Sequence, residues 1–65
     1  MRYEFRVTGR VSAALADAFP ELERIPVPRQ TLFLGSVTDE AQLYGLLLRF
    51  QDLGLCVEEM RRLPE

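Results

Sequence analysis

A strand-like run, a glycine, one further residue, a valine, a hydroxyl side chain and a helix-like run follow one another twice in this 65-residue chain. The first copy reads Phe5-Arg6-Val7-Thr8-Gly9-Arg10-Val11-Ser12 and the second Leu32-Phe33-Leu34-Gly35-Ser36-Val37-Thr38, so the two glycines stand 26 positions apart. One such unit cannot bury its own apolar face, whereas two copies in one chain bury theirs together. The repeat therefore favours a single sheet assembled from two equivalent halves.

The residues around the two copies fit that scheme. Tyr3, Phe5, Val7 and Val11 alternate with Glu4, Arg6, Thr8 and Arg10, the period of a half-buried strand, over residues 2–10. Ser12 is a good N-cap, and Leu15, Ala18, Phe19 and Leu22 at spacings of three and four predict a short helix from residue 13 that Pro20 stops. Ile25-Pro26-Val27-Pro28 reads as extended chain lacking two donors, which restricts it to a sheet edge. Arg29-Gln30 reads as a turn, and Thr31-Leu32-Phe33-Leu34-Gly35 as a proline-free apolar strand suited to the sheet interior. Thr38, Asp39 and Glu40 place a capping hydroxyl and two carboxylates at the start of a helix over residues 39–53. On it Leu43, Leu46, Leu47, Phe50 and Leu53 fall within about 120 degrees of arc, the width of a core-facing stripe. Gly54 marks its end, and Leu55-Cys56-Val57 opens a last strand that closes before Pro64. The order βαββαβ with an internal repeat predicts an α+β class. Its expected form is a ferredoxin-like split fold: a four-stranded antiparallel sheet in the order 4-1-3-2 with two helices on one face. Residues 1–65 form one domain in this reading. The prolines at 26 and 28 then fall on an edge strand, and the second sheet face stays open.

Composition narrows the function. The chain carries eight arginines, no lysine, ten carboxylates, no histidine and one cysteine, with a formal charge of -2. A single cysteine makes no internal disulfide, and without histidine or a second thiol there is neither a structural zinc site nor the paired-thiolate loop of metal-carrying relatives of this fold. No cofactor is expected. Leu46-Leu47-Leu48, like every other apolar run in the chain, is far short of the ~20 residues that span a bilayer. The opening Met1-Arg2-Tyr3-Glu4-Phe5-Arg6 alternates charge and hydrophobe where a signal peptide needs a continuous apolar stretch, so a cytoplasmic location is expected. There is no imidazole base, and the carboxylates fall mostly at helix ends and exposed strand positions. Cys56 sits in an apolar strand start with no base beside it and reads as an inert packed thiol. The chain is expected not to be an enzyme.

Three kinds of surface remain as candidates. Ala41, Tyr44 and Leu48 lie beyond the core stripe of the second helix, which is therefore apolar around more of its girth than one sheet face covers. The last strand carries Glu58-Glu59-Met60-Arg61-Arg62, which is charge-complementary to itself when reversed. Antiparallel pairing about a twofold at Met60 sets Glu58 against Arg62 and Glu59 against Arg61. Both features point to protein contact, through a homodimer or a larger protein partner, although edge charges also guard a strand against aggregation. The corner Gly9-Arg10-Val11-Ser12 is similar to the strand-to-helix loop where ACT-type regulatory domains bind amino acids, which makes Gly9, Arg10 and Ser12 small-ligand candidates. On the open sheet face, Arg2, Arg6 and Arg10 beside Phe33 would give an aromatic among arginines, as in sheets that stack single-stranded nucleic acid. One ring and a negative total charge argue against that last use.

Taken end to end, the chain resembles a family of small uncharacterised actinobacterial proteins of about this length. The likeness is carried by Tyr3-Glu4-Phe5-Arg6-Val7, Gly9-Arg10-Val11-Ser12, Ala18-Phe19-Pro20, the helix over residues 39–53 with its Leu53-Gly54-Leu55 end, and Glu59-Met60-Arg61-Arg62-Leu63-Pro64. It implies a bacterial cytoplasmic address and no assigned activity. Pro26-Val27-Pro28 departs from the family, where a charged, glycine-containing hairpin is commoner.

Overall fold

In the computed structural model, which describes residues 1–64, the elements are β1 (Arg2–Thr8), α1 (Ala13–Ala16), β2 (Glu23–Val27), β3 (Gln30–Ser36), α2 (Glu40–Asp52) and β4 (Val57–Leu63). Every strand pairing is antiparallel, and the order across the open sheet is β2-β3-β1-β4. Numbered from its other edge the same sheet runs 4-1-3-2, so β1 and β3 are interior while β2 and β4 are edges. The molecule is of the α+β class. Pro26 pairs with Thr31 from the β2 edge, where a residue without an N–H is tolerated.

Register decides which side chains share a face. Phe5 stands opposite Phe33 on one side and Met60 on the other, and directly opposed residues point the same way. Phe5, Val7 and Phe33 are fully buried on that face, under Val11, Phe19, Val37, Leu43, Leu46 and Phe50. Four phenylalanines form the centre: the Phe50 ring lies 5.3 Å from Phe5, 4.2 Å from Phe19 and 5.2 Å from Phe33 between centroids. Both α2 and the segment after α1 thus pack on one side of the sheet. The echoed valines, Val11 and Val37, are both core residues.

Several boundaries differ from the periodicity. β1 ends at Thr8 and not at residue 10, because Gly9 takes φ +80° and turns the chain out of the sheet. The first helix is one turn only. After Asp17 N–H bonds to the Ala13 carbonyl, the next bonds are Ala18 to Leu15, Phe19 to Ala16 and Leu22 to Phe19, which tightens the path and drives Phe19 into the core before Pro20. The hairpin turn is Pro28-Arg29, with Arg29 at φ 65° and Gln30 already in β3. The Arg29 carbonyl accepts from Gly9 N–H at 2.9 Å, which ties that turn to the end of β1. Asp39, not Thr38, caps α2: its carboxylate accepts from Gln42 N–H at 2.8 Å, while the Thr38 hydroxyl donates to the Gln42 side chain. β4 starts at Val57, two residues later than its apolar opening suggests.

Candidate functional site

Of the expected contact residues, Ala41, Tyr44 and Leu48 are all exposed on α2, with Tyr44 59% and Leu48 58% accessible. By helical geometry Ala41 and Leu48 point away from the sheet, opposite the buried Leu43, Leu46 and Phe50, and Tyr44 lies on the side turned away from Arg49, whose guanidinium binds the Ala18 carbonyl at 3.0 Å and Glu21 at 2.8 Å and lies over the Phe19 ring. That opposite flank has the packed segment after α1 against it; the Tyr44 flank has no such cover. Met60 is 41% accessible although it shares the helix-side face with Phe5, because β4 is the sheet edge. Two large apolar side chains on α2 and one on the edge strand are thus left in solvent.

The charged residues of β4 are less free than the reversed sequence suggests. Antiparallel pairing sets Arg61 opposite Glu4 and Glu59 opposite Arg6 on the open face. Glu4 is buried to 6% accessibility there and holds both Arg6 Nε at 3.2 Å and Arg61 Nε at 3.4 Å, and Arg6 also reaches Glu59 at 3.5 Å. A register shift between Arg6 and Val7 makes Glu58 the extra residue of a bulge. Its carboxylate accepts from the Thr8 hydroxyl at 2.6 Å and the Gln30 amide at 3.4 Å. Glu58 therefore lies on the open face, whereas Arg62 stands opposite Tyr3 on the helix side, so the expected Glu58 to Arg62 match across a twofold loses its common face. Glu59 and Arg61 keep theirs.

The Thr8 hydroxyl, and after it the Gln30 amide, hold the Glu58 carboxyl below the ordinary carboxylate value. Both bonds favour the ionised form, so their contribution is present above the ordinary value and is lost as the pH falls through the lowered one. Thr8→Val should move the Glu58 titration upward, toward 4.5, as followed by side-chain carboxyl NMR; an unchanged midpoint would refute the assignment.

The nucleic-acid arrangement does not form. Phe33 is fully buried beneath α2 and the segment after α1, Arg6 is ion-paired, and Arg10 lies past the end of β1, which leaves Arg2 alone of the four on the open face without a carboxylate partner among the described residues. In place of an aromatic, that face presents half-buried Leu32, Leu34 and Ile25, aligned by register with Arg6, Glu4 and their partners. Cys56 is exposed and not packed, since it precedes the first paired residue of β4.

At the corner after β1 the expected trio has separate duties. Gly9 makes the turn, and Ser12 caps α1 by accepting from Leu15 N–H at 3.1 Å. Arg10 is exposed at the rim of a cavity of about 510 Å³ lined by Arg10, Val11, Ser12, Arg24, Pro26 and Thr31. Thr31 is buried and closes the floor, its hydroxyl donating to the Gly9 carbonyl at 3.0 Å and accepting from Val11 N–H at 3.2 Å. Arg24 donates to the Val11 carbonyl at 3.0 Å. Neither Arg24 nor Thr31 stands out in the sequence. Glu4 could have been found, because laying β1 antiparallel to the last strand pairs Glu4-Arg6 with Arg61-Glu59.

Among the described residues no group of three or more His, Cys, Asp or Glu side chains gathers to hold a metal ion, and no helix is long and apolar enough to cross a membrane. The fold and site define a small α+β sheet protein with an exposed apolar helix surface, an open edge strand and an arginine-rimmed cavity. The chain belongs to a domain family of unknown function, DUF8691, whose model matches residues 2–61. No curated protein and no solved structure matches it.

Proposed function

We propose that this is a non-catalytic protein-interaction module of the ferredoxin-like type, a cytoplasmic protein of an actinobacterial family, and that it works as a homodimer joined along β4 and the adjoining flank of α2. The observation that carries this reading is the exposure of Tyr44, Leu48 and Met60 beside a free sheet edge. An unpaired edge strand holds a row of unused N–H and C=O groups, and β4 has no proline before Pro64 to block pairing. A second copy fits the edge because Glu59 and Arg61, on the open face, each meet their opposite charge when two β4 strands run antiparallel about Met60. The same twofold extends the sheet and keeps both α2 helices on one side, where the Tyr44 side of each helix is the one turned away from the segment after α1. A stable interface removes roughly 800 Å² from each partner. Against a total surface of 4283 Å², this requires strand edge and helix flank together.

Size-exclusion chromatography with light scattering tests the reading. At tens of micromolar the wild type is expected at twice its 7.5 kDa chain mass, and Tyr44→Glu at the chain mass with unchanged circular dichroism, since Tyr44 is already in water. Met60→Pro removes one edge donor and should dissociate the dimer likewise. A wild type that runs as a monomer, or a dimer indifferent to both changes, overturns the homodimer; binding to a larger partner is then what the Tyr44 flank would have to serve.

A further inference from the structure

We propose that the cavity between β2, β3 and the corner leading from β1 into α1 is a binding site for a small oxyanion, a carboxylate or phosphate group carried on a compact apolar body. This does not depend on dimerisation, since the cavity opens beside β2, the edge opposite to β4. Its volume of about 510 Å³ lies within the range of small-molecule sites, and its wall joins an apolar surface from Val11 and Pro26 to a few convergent polar groups.

The charge of the wall identifies the ligand. Arg10 and Arg24 both line it and no carboxylate does. Three arginines elsewhere in the molecule are neutralised within hydrogen-bond reach, Arg6 by Glu4 and Glu59, Arg49 by Glu21 and Arg61 by Glu4, while Arg2, Arg29 and Arg62 have no ion pair among the described residues but line no cavity with a second arginine. Among the described residues neither Arg10 nor Arg24 has an ion pair. A chain with a net charge of -2 thus concentrates two uncompensated guanidinium groups around one concavity. Arg24 is also held in place, because one Nη1–H donates to the Val11 carbonyl at 3.0 Å and the other donors of its planar fork remain for a ligand. Ser12 uses its oxygen as acceptor for Leu15 N–H, so its own proton is left to donate into the cavity. Thr31 is different: its hydroxyl is already both donor and acceptor, and it contributes shape rather than a contact. The donors come from two segments, the corner that carries Arg10 and Ser12 and the β2 strand that carries Arg24; Ser12 and Arg24 are each tied to the backbone by a hydrogen bond, and all three suit an acceptor-only anion.

Backbone amide and arginine Nε NMR titrations at low ionic strength separate the possible head groups, with inorganic phosphate, acetate and isobutyrate as probes. Saturable shifts are expected at Gly9, Arg10, Val11, Ser12 and the Arg24 Nε–H, with a dissociation constant on the order of 1 mM for the best probe. Tighter binding of phosphate, or of isobutyrate over acetate, distinguishes a phosphate from a carboxylate with an apolar body. Arg10→Gln, which alters an exposed side chain and leaves the fold in place, should weaken that probe about tenfold. Shifts that rise linearly without saturating for all three probes, or affinities equal in wild type and Arg10→Gln, overturn the proposal.

Discussion

Phe50→Ala is expected to leave the chain largely unfolded in buffer at 25 °C. Phe50 is fully buried on α2, and it is the ring that touches each of the other three in the core, Phe5 and Phe33 from the sheet and Phe19 from the segment after α1. Removing it opens a void where sheet, helix and segment meet, at a cost of about 3–5 kcal/mol for a buried aromatic. A chain of this length has a total stability of roughly 3–10 kcal/mol, with no disulfide or metal to add to it. The surface ion pair between Arg49 and Glu21 is worth only about 0–1 kcal/mol, so no arrangement of charges offsets the loss. Urea titration followed by circular dichroism decides the matter: Phe50→Leu, which keeps part of the volume, should retain a cooperative transition at lower urea, and Phe50→Ala should show little folded baseline. A loss below about 1 kcal/mol for the alanine variant would mean that the four rings do not act as one packed unit.

That core was largely legible in the sequence, and the places where it was not have identifiable causes. Of the expected stripe, Leu43, Leu46, Leu47 and Phe50 follow from a period of 3.6 while Leu53, at the C-cap of α2, is exposed, and the face of β1 follows from its strict alternation. β3 gives no such signal, because Leu32, Phe33 and Leu34 are apolar in succession and alternation cannot say which of them points inward. Reading Phe33 as part of the open face was an error of register. The repeat held the answer: an offset of 26 makes Phe33 the equivalent of Val7, a core residue, and leaves Leu32 and Leu34 for the open side. α1 was overextended for another reason. Leu15, Ala18, Phe19 and Leu22 have helical spacing, yet a tighter path through residues 17–22 brings Phe19 to the other rings, and tertiary packing overrode the local pattern.

The surfaces were less readable than the core. The exposure of Tyr44, Leu48 and Met60 follows from a helical wheel and a topology. The state of Glu58 does not, because a one-residue bulge reverses its face. The cavity could not be read at all from spacing, since Arg10, Arg24 and Thr31 meet only once three segments are placed beside one another.

Gly35→Ala should destabilise the protein more than Gly9→Ala, even though the repeat makes the two glycines equivalent in sequence. They are glycine for different physical reasons. Gly9 has φ +80° and open space where a Cβ would stand, so alanine there meets only the backbone penalty of the left-handed region, about 1 kcal/mol. Gly35 lies inside β3 and is not at positive φ; its need is room. A Cβ at Gly35 would come within 2.5 Å of Leu22 Cδ2 and 2.7 Å of the Glu21 carbonyl oxygen. The leucine methyl can rotate away, but the carbonyl belongs to a segment pinned on both sides, by Leu22 N–H on the Phe19 carbonyl at 3.0 Å and by the Glu21 side chain on Arg49. Forcing that segment off the sheet pulls on Phe19 as well, and overpacking of this kind costs about 1–3 kcal/mol. Urea midpoints of the two single variants give the order. The double change Gly35→Ala with Leu22→Ala separates the causes: it removes the methyl clash and leaves the carbonyl contact, so it should not restore the stability of Leu22→Ala alone. Full restoration, or a Gly35→Ala variant as stable as the wild type, would show that the segment over β3 moves freely and that close approach does not require glycine at position 35.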